Sequence, residues 1–200
     1  MSLTRYLRGH AAALLAVALS WVAGPAAHAA DAAAGMQKAQ VCVACHGAGG
    51  SSANPAVPSL AGQPAQFIAT QLVMFREGNR KDAQMSPFAS GLTNTDLNNI
   101  AAYFSAQKLT PPAAVADAVT MDAGALLARQ FNCVQCHGPA LMGLQHMPRL
   151  AGQQLEYLKT QLRGFKASTR FDMDGQMTSA AQALSDAEIE ILAKYLAAIQ

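Results

Sequence analysis

Cys42-Val43-Ala44-Cys45-His46 recurs 91 residues further on as Cys133-Val134-Gln135-Cys136-His137. C-x-x-C-H is the attachment signature of a c-type haem. The chemistry sets the spacing. Each of the two haem vinyl groups takes one cysteine thiol as a thioether, and two intervening residues let both sulfurs reach one porphyrin edge. The histidine that follows is then held under the iron, where a ring nitrogen becomes an axial ligand. A single copy could be a redox dithiol or half a zinc site. Two copies consume all four cysteines of the chain, and each carries the adjacent histidine. Zinc ribbons space their C-x-x-C pairs roughly 15–20 residues apart, far closer than these. The motifs therefore predict two haem c groups bound through Cys42, Cys45, Cys133 and Cys136, with His46 and His137 as iron ligands.

The first 30 residues read as a secretory signal peptide. Arg5 and Arg8 form a positive start, an apolar run covers Ala11 to Ala23, and Ala27-His28-Ala29 is a small-x-small cleavage site. The alternative is an uncleaved membrane anchor, but 13 apolar residues fall short of the roughly 18–20 that span a bilayer. Cleavage near residues 29–30 and a periplasmic location are expected. Haem thioethers are assembled outside the bacterial cytoplasm, which agrees with export. Without Arg5 and Arg8, 12 basic residues face 12 acidic ones. A formally neutral polypeptide with no basic run or basic-aromatic patch does not suit nucleic acid.

The motifs belong to a longer repeat. Residues 57–80, VPSLAGQPAQFIATQLVMFREGNR, align with residues 147–170, MPRLAGQQLEYLKTQLRGFKASTR, at an offset of 90. The duplication predicts two domains, 31–107 and 121–200, joined by a Pro111-Pro112 linker over 108–120. Each half shows three helical patterns. The first, Ala32 to about Ala44 and Ala123 to about Gln135, has Asp31 or Asp122 as its N-cap. The second follows Leu-Ala-Gly-Gln, with the stripes Phe67, Ile68, Gln71, Leu72, Phe75 and Tyr157, Leu158, Gln161, Leu162, Phe165. The third opens at Thr93-x-x-Asp96 and Ser185-x-x-Glu188, the second of which is a full capping box. With no convincing period-2 alternation, the fold is expected to be all-α.

A carrier haem usually has its sixth position closed, most often by methionine sulfur. Met85 and Met177 lie 39 and 40 residues after His46 and His137, at corresponding positions in loops before the last helix. Met173, Met142 and Met147 are the alternatives in the second half, and none has a methionine counterpart in the first. Met74 and Met121 read as packing residues. His146 reads as a surface loop residue. Arg80 and Arg170 correspond and can pair with haem propionates. Gln71 and Gln161 interrupt their apolar stripes at one equivalent place.

The duplicated C-x-x-C-H and P-x-L-A-G-Q, the Q-L-x-x-F runs and Met85-Ser86-Pro87-Phe88-Ala89 together resemble the di-haem cytochrome c4 family over the whole chain after residue 30. The second half departs at Met177-Thr178-Ser179-Ala180-Ala181. The resemblance implies two tandem class I cytochrome c-like domains related by a pseudo-two-fold axis, with haem propionates meeting at the interface. In class I cytochromes c a proline placed like Pro58 or Pro148 gives its carbonyl to the ligating histidine's N–H, fixing the ring. The resemblance also implies a periplasmic electron carrier without an enzyme activity of its own. It would run between the bc1 complex and a terminal oxidase such as a cbb3-type enzyme, with peripheral membrane association admitted. The competing reading is a cytochrome subunit bound to a flavoprotein, as in flavocytochrome c sulfide dehydrogenase. A di-haem peroxidase would need an open iron and a longer chain.

Overall fold

The computed structural model describes residues 29–200. The export segment expected over 1–30 therefore lies outside the described residues except for its last two positions. Among the described residues regular structure is helical, and the only β feature is an isolated bridge between Leu144 and Met147. The first half contains α1 (Ala32–Lys38), α2 (Gln40–His46), a 3-10 turn (Ala48–Gly50), α3 (Ala65–Arg76), α4 (Met85–Ser90) and α5 (Asn94–Ser105). The second half contains α6 (Ala118–Gln130), α7 (Cys133–His137), α8 (Leu155–Lys166), α9 (Gln176–Gln182) and α10 (Asp186–Ala198).

Side-chain caps start most of the longer helices. Asp31 accepts from the N–H groups of Ala33 and Ala34 at 2.8 and 3.1 Å. Both last helices open on complete capping boxes, Thr93 with Asp96 and Ser185 with Glu188, so the first box is as full as the second. Each satisfies donors that an uncapped helix would leave open.

Three local expectations are corrected. The cap of α6 is Asp117, which takes the Thr120 N–H at 2.7 Å. Asp122 is an exposed residue inside the helix. Nothing in Ala118-Val119-Thr120-Met121 breaks a helix, so α6 starts within the stretch read as linker, and the non-helical connection ends at Asp117. The run expected from Ala123 to Gln135 is also interrupted: Asn132 takes the left-handed conformation, φ 58°, and α7 begins afresh. In the first half the corresponding break at Ala39 is mild, with φ −76° and ψ −1°. Lastly, Met85 and Met177 stand in the first turn of two short helices, α4 and α9, not in plain loops.

In each half the first helix crosses the last at a glycine. A Cβ on Gly35 would stand 1.9 Å from the Asn99 carbonyl oxygen, and one on Gly124 would stand 2.2 Å from Tyr195 Cβ. The crossings close two equivalent cores. One holds Ile68, Leu72, Leu97, Ile100 and Phe104; the other holds Leu158, Leu184, Ile189, Leu192 and Leu196. The connection between the halves is tied down. Leu109 is buried and the Thr110 N–H donates to Ser51 Oγ at 3.0 Å.

Candidate functional site

The motif helices α2 and α7 carry the cysteines and end in the histidines. Cys42, Cys133 and Cys136 are half-buried and Cys45 is exposed. His46 and His137 are buried, at 6% and 3% exposure. His46 Nδ1 lies 2.8 Å from the Pro58 carbonyl oxygen, and His137 Nδ1 lies 2.8 Å from that of Pro148. A carbonyl only accepts, so each Nδ1 is the protonated nitrogen and each Nε2 keeps its lone pair. Burial holds both imidazoles below their ordinary pKa, against the opposite pull of the proline carbonyls. The neutral ring is the form that binds metal. His137 Nε2 is buried with no hydrogen-bond partner, a costly state for a polar atom unless a ligand meets it. A neutral, oriented ring with one open nitrogen beside two thiols fits a covalently held haem iron.

The methionines are positioned by a residue that sequence reasoning passed over. Asp82 Oδ1 accepts from the N–H groups of Gln84 and Met85 at 2.9 and 2.8 Å. In the second half the Asp172 carboxylate takes the Met177 N–H at 2.8 Å and the Thr178 hydroxyl at 3.0 Å. Burial pushes the Asp172 carboxyl up, but the Met177 and Thr178 donors outweigh it and leave it below its ordinary value. The offset of 90 that aligns Arg80 with Arg170 also aligns these aspartates. Met85 packs against the first core and Met177 is half-buried. Among the alternatives, Met173 is 80% exposed and Met142 is 43% exposed, while the backbone of Met147 is engaged in the bridge to Leu144. Met74 is buried, and His146 is exposed in its loop.

Arg80 and Arg170 come together where the halves meet. Arg80 stacks 4.5 Å over the Phe75 ring and Arg170 stacks 4.4 Å over that of Phe165. Arg80 donates to Gln71 Oε1 at 2.6 Å, to Gln161 Oε1 at 3.1 Å and to the Tyr157 hydroxyl at 3.3 Å. Arg170 donates to Gln161 Oε1, and its Nε is buried without a partner. Neither makes an ion pair among the described residues. Burial pulls Arg170 down to about 10, and the Arg80 charge adds to this. Burial pushes Tyr157 up, yet the two arginines overcome it and hold the phenol below its ordinary value. Two guanidiniums served only by neutral oxygens form a site that calls for an anion. The glutamines in the apolar stripes thus hold the arginines, a purpose that the stripe pattern alone did not reveal.

The glutamines of the P-x-L-A-G-Q motifs join the halves. Gln63 accepts the Arg149 N–H and donates to the Arg149 carbonyl, both at 2.9 Å. Gln153 accepts the Ser59 N–H at 2.8 Å and donates to the Ser59 carbonyl at 2.9 Å. Ser59 and Arg149 occupy the same place in the repeat. The exchange is therefore reciprocal, as an interface about a two-fold axis must be. Gln154 adds a bond to the Ser52 carbonyl at 2.5 Å. A groove lined by α3, α5 and Phe171, Asp172 and Met173 of the second half contains none of the cysteines or histidines.

Comparison with known proteins agrees with this geometry. The family model described as "Cytochrome c" matches residues 121–200, and that described as "Cytochrome C oxidase, cbb3-type, subunit III" matches residues 27–104. Cytochrome c4 of Pseudomonas aeruginosa is 38% identical over 181 residues, spanning 85% of this chain and 90% of the relative. A thiosulfate dehydrogenase electron acceptor of Thiomonas intermedia is 37% identical over 193 residues, spanning 90% of this chain and 82% of the relative. The solved structure of reduced recombinant cytochrome c4 from Pseudomonas stutzeri superposes with a TM-score of 0.80 at 33% identity, covering 86% of this chain and all of that one. Each half is a cytochrome c domain, and the chain takes two haem c groups.

Proposed function

We propose, for a chain that belongs to the di-haem cytochrome c4 family, that it shuttles single electrons in the periplasm from the bc1 complex to a terminal oxidase such as a cbb3-type enzyme. Haem c supplies the one-electron iron(II)/iron(III) couple. In this reading Cys42, Cys45, Cys133 and Cys136 hold the groups covalently. His46 and His137 would bind iron through Nε2, and Met85 and Met177 would supply the remaining protein ligands. Pro58 and Pro148 fix the histidine rings. Arg80 and Arg170 neutralise propionates at the interface, which answers the demand for an anion there. The observation that carries the reading is the oriented histidine in both halves, Nδ1 spent on a proline carbonyl at 2.8 Å. With a histidine and a methionine on each iron, no coordination position is open to a substrate, so the chain carries electrons and does no substrate chemistry.

Docking is expected at the cysteine edges. Val41, next to Cys42, is 61% exposed. The loop after the second motif, tied to it by the Gly143 N–H to the His137 carbonyl, exposes Met142 and Leu144. Apolar contact with little net charge gives weaker salt dependence than a strongly basic carrier would show. Among the described residues no helix is long and apolar enough to cross a membrane.

A second reading is favoured by the relatives named as thiosulfate dehydrogenase electron acceptors. In it, electrons arrive directly from a dehydrogenase. Reconstitution separates the two. The carrier reading expects rapid re-reduction by the bc1 complex and oxidation by the oxidase. Failure with both, together with rapid reduction by a thiosulfate-oxidising enzyme or by sulfide through a bound flavoprotein, would replace it.

A further inference from the structure

The peptide that joins Pro58 to Ser59 is held at both ends. Its carbonyl oxygen lies 2.8 Å from His46 Nδ1. Its N–H, on Ser59, donates to Gln153 Oε1 at 2.8 Å, and Gln153 belongs to the other half, 94 residues away. The peptide that joins Pro148 to Arg149 repeats the arrangement. Its carbonyl lies 2.8 Å from His137 Nδ1, and its N–H donates to Gln63 Oε1 at 2.9 Å. The amide orientation is fixed, because each Nε2 donates to the carbonyl of the same residue. A flipped amide would set oxygen against oxygen. Ser59, Gln63 and Gln153 are all buried, at 2%, 4% and 4% exposure.

Hydrogen bonds in series polarise one another where the surroundings are poorly polar. When Ser59 N–H is bound by Gln153, electron density moves toward the Pro58 carbonyl oxygen. That oxygen becomes a stronger acceptor for the imidazole N–H, and the ring becomes a more basic ligand. A more electron-rich imidazole favours oxidised iron. We infer that Gln63 and Gln153 are positioning residues that tune the axial histidine of the opposite half, so that each haem's potential is set partly from across the interface. The inference rests on the reading of His46 and His137 as iron ligands. The relays are also unequal. Gln153 Oε1 accepts a second bond, from the Gln154 N–H at 2.9 Å, whereas the residue after Gln63 is Pro64, which has no N–H to give.

The test is a redox titration of the holoprotein, with each haem followed separately through its methyl resonances in the NMR spectrum. Gln153→Met keeps the volume and removes both bonds. It is expected to raise the potential of the first-half haem by about threefold in its reduction equilibrium, roughly 28 mV at 59 mV per tenfold for one electron, and to move the second-half haem less. Gln63→Met is expected to do the reverse. Gln154→Met is the matched control. It removes a buried bond across the same interface, to the Ser52 carbonyl, but leaves the Ser59–Gln153 pair in place, so both potentials should stay. The inference is overturned if the Gln63 and Gln153 variants leave both potentials unchanged, or if Gln154→Met moves the first-half haem as far as Gln153→Met does. Should Gln153→Met fail to assemble, Gln63→Met carries the test on the other haem. Failure of the ligand reading itself would be visible first in the wild-type protein, as the absence of the low-spin histidine-ligated spectrum.

Discussion

Arg80 and Arg170, one from each half, donate to the same atom, Gln161 Oε1. Two cations share a neutral oxygen, and Tyr157 stands beside Arg80 with its hydroxyl 3.3 Å away. Its repeat partner is Phe67, so the first half offers no hydroxyl there. Removing one positive charge from this cluster favours the oxidised, more positive iron. Arg80→Leu or Arg170→Leu should lower the potential of the nearer haem by up to about tenfold in its reduction equilibrium, 59 mV for one electron. Lysine at either place should restore the charge but not the fork that spans two acceptors. Potentiometric titration of the holoprotein checks both, and an unchanged potential in the leucine variants would remove the arginines from the propionate role.

Met85→Ala and Met177→Ala should each abolish about half of the weak long-wavelength sulfur-to-iron band of the oxidised protein. Each should open one iron to small ligands and lower that haem's potential, since methionine ligation raises it. Met173→Ala should leave the band intact, because Met173 is 80% exposed. The reverse pattern in the second half would move the ligand to Met173.

Gly35→Ala and Gly124→Ala should each destabilise the holoprotein by about 1–3 kcal/mol through overpacking. The Gly35 variant should suffer more, since its new Cβ meets backbone at 1.9 Å while that of Gly124 meets the Tyr195 side chain at 2.2 Å. Denaturant midpoints of the two variants decide the order.

Asp96 lies below its ordinary pKa, chiefly because the Thr93 hydroxyl and N–H donate to it, with Lys38 contributing. A carboxyl depressed on folding stabilises fully above its unfolded pKa of about 3.9 and loses that contribution as pH falls through the folded value. Asp96→Ala should therefore be less stable than wild type at neutral pH and should converge on it below the carboxylate range. Urea unfolding of both proteins from pH 7 down to acid is the check; a gap that stays constant over that interval would contradict the cap's role. Thr93→Ala, which removes the other half of the box, should cost about 1 kcal/mol at neutral pH.

Much of this was legible because the chemistry is local. The C-x-x-C-H spacing names the cofactor, and the repeat selects Arg80 and Arg170 at an offset of 90 and Met85 and Met177 at an offset of 92 from many candidates. The proline carbonyls on His46 and His137 followed from the resemblance to class I cytochromes c, and the geometry agrees. What stayed hidden depends on contacts between distant segments. Gln63 and Gln153 look like ordinary polar residues until the other half is brought against them. Asp82 and Asp172 act on backbone N–H groups a few residues ahead, a turn device that leaves no periodic trace. The start of α6 departs from the repeat because its counterpart α1 is a shorter helix capped at Asp31, whereas α6 extends back to a cap at Asp117 that has no equivalent in the first half.

The exchange of Gln63 with Arg149 and of Gln153 with Ser59 has the form of a symmetric dimer carried on one polypeptide. Free single-motif domains would have to find each other at cellular dilution. Here the short tether raises the local concentration of one partner around the other to the millimolar scale. An association that includes these four amide bonds then needs little intrinsic affinity to be complete. Dilution cannot dissolve it, and the pairing of two redox centres becomes independent of how much of the protein the cell makes.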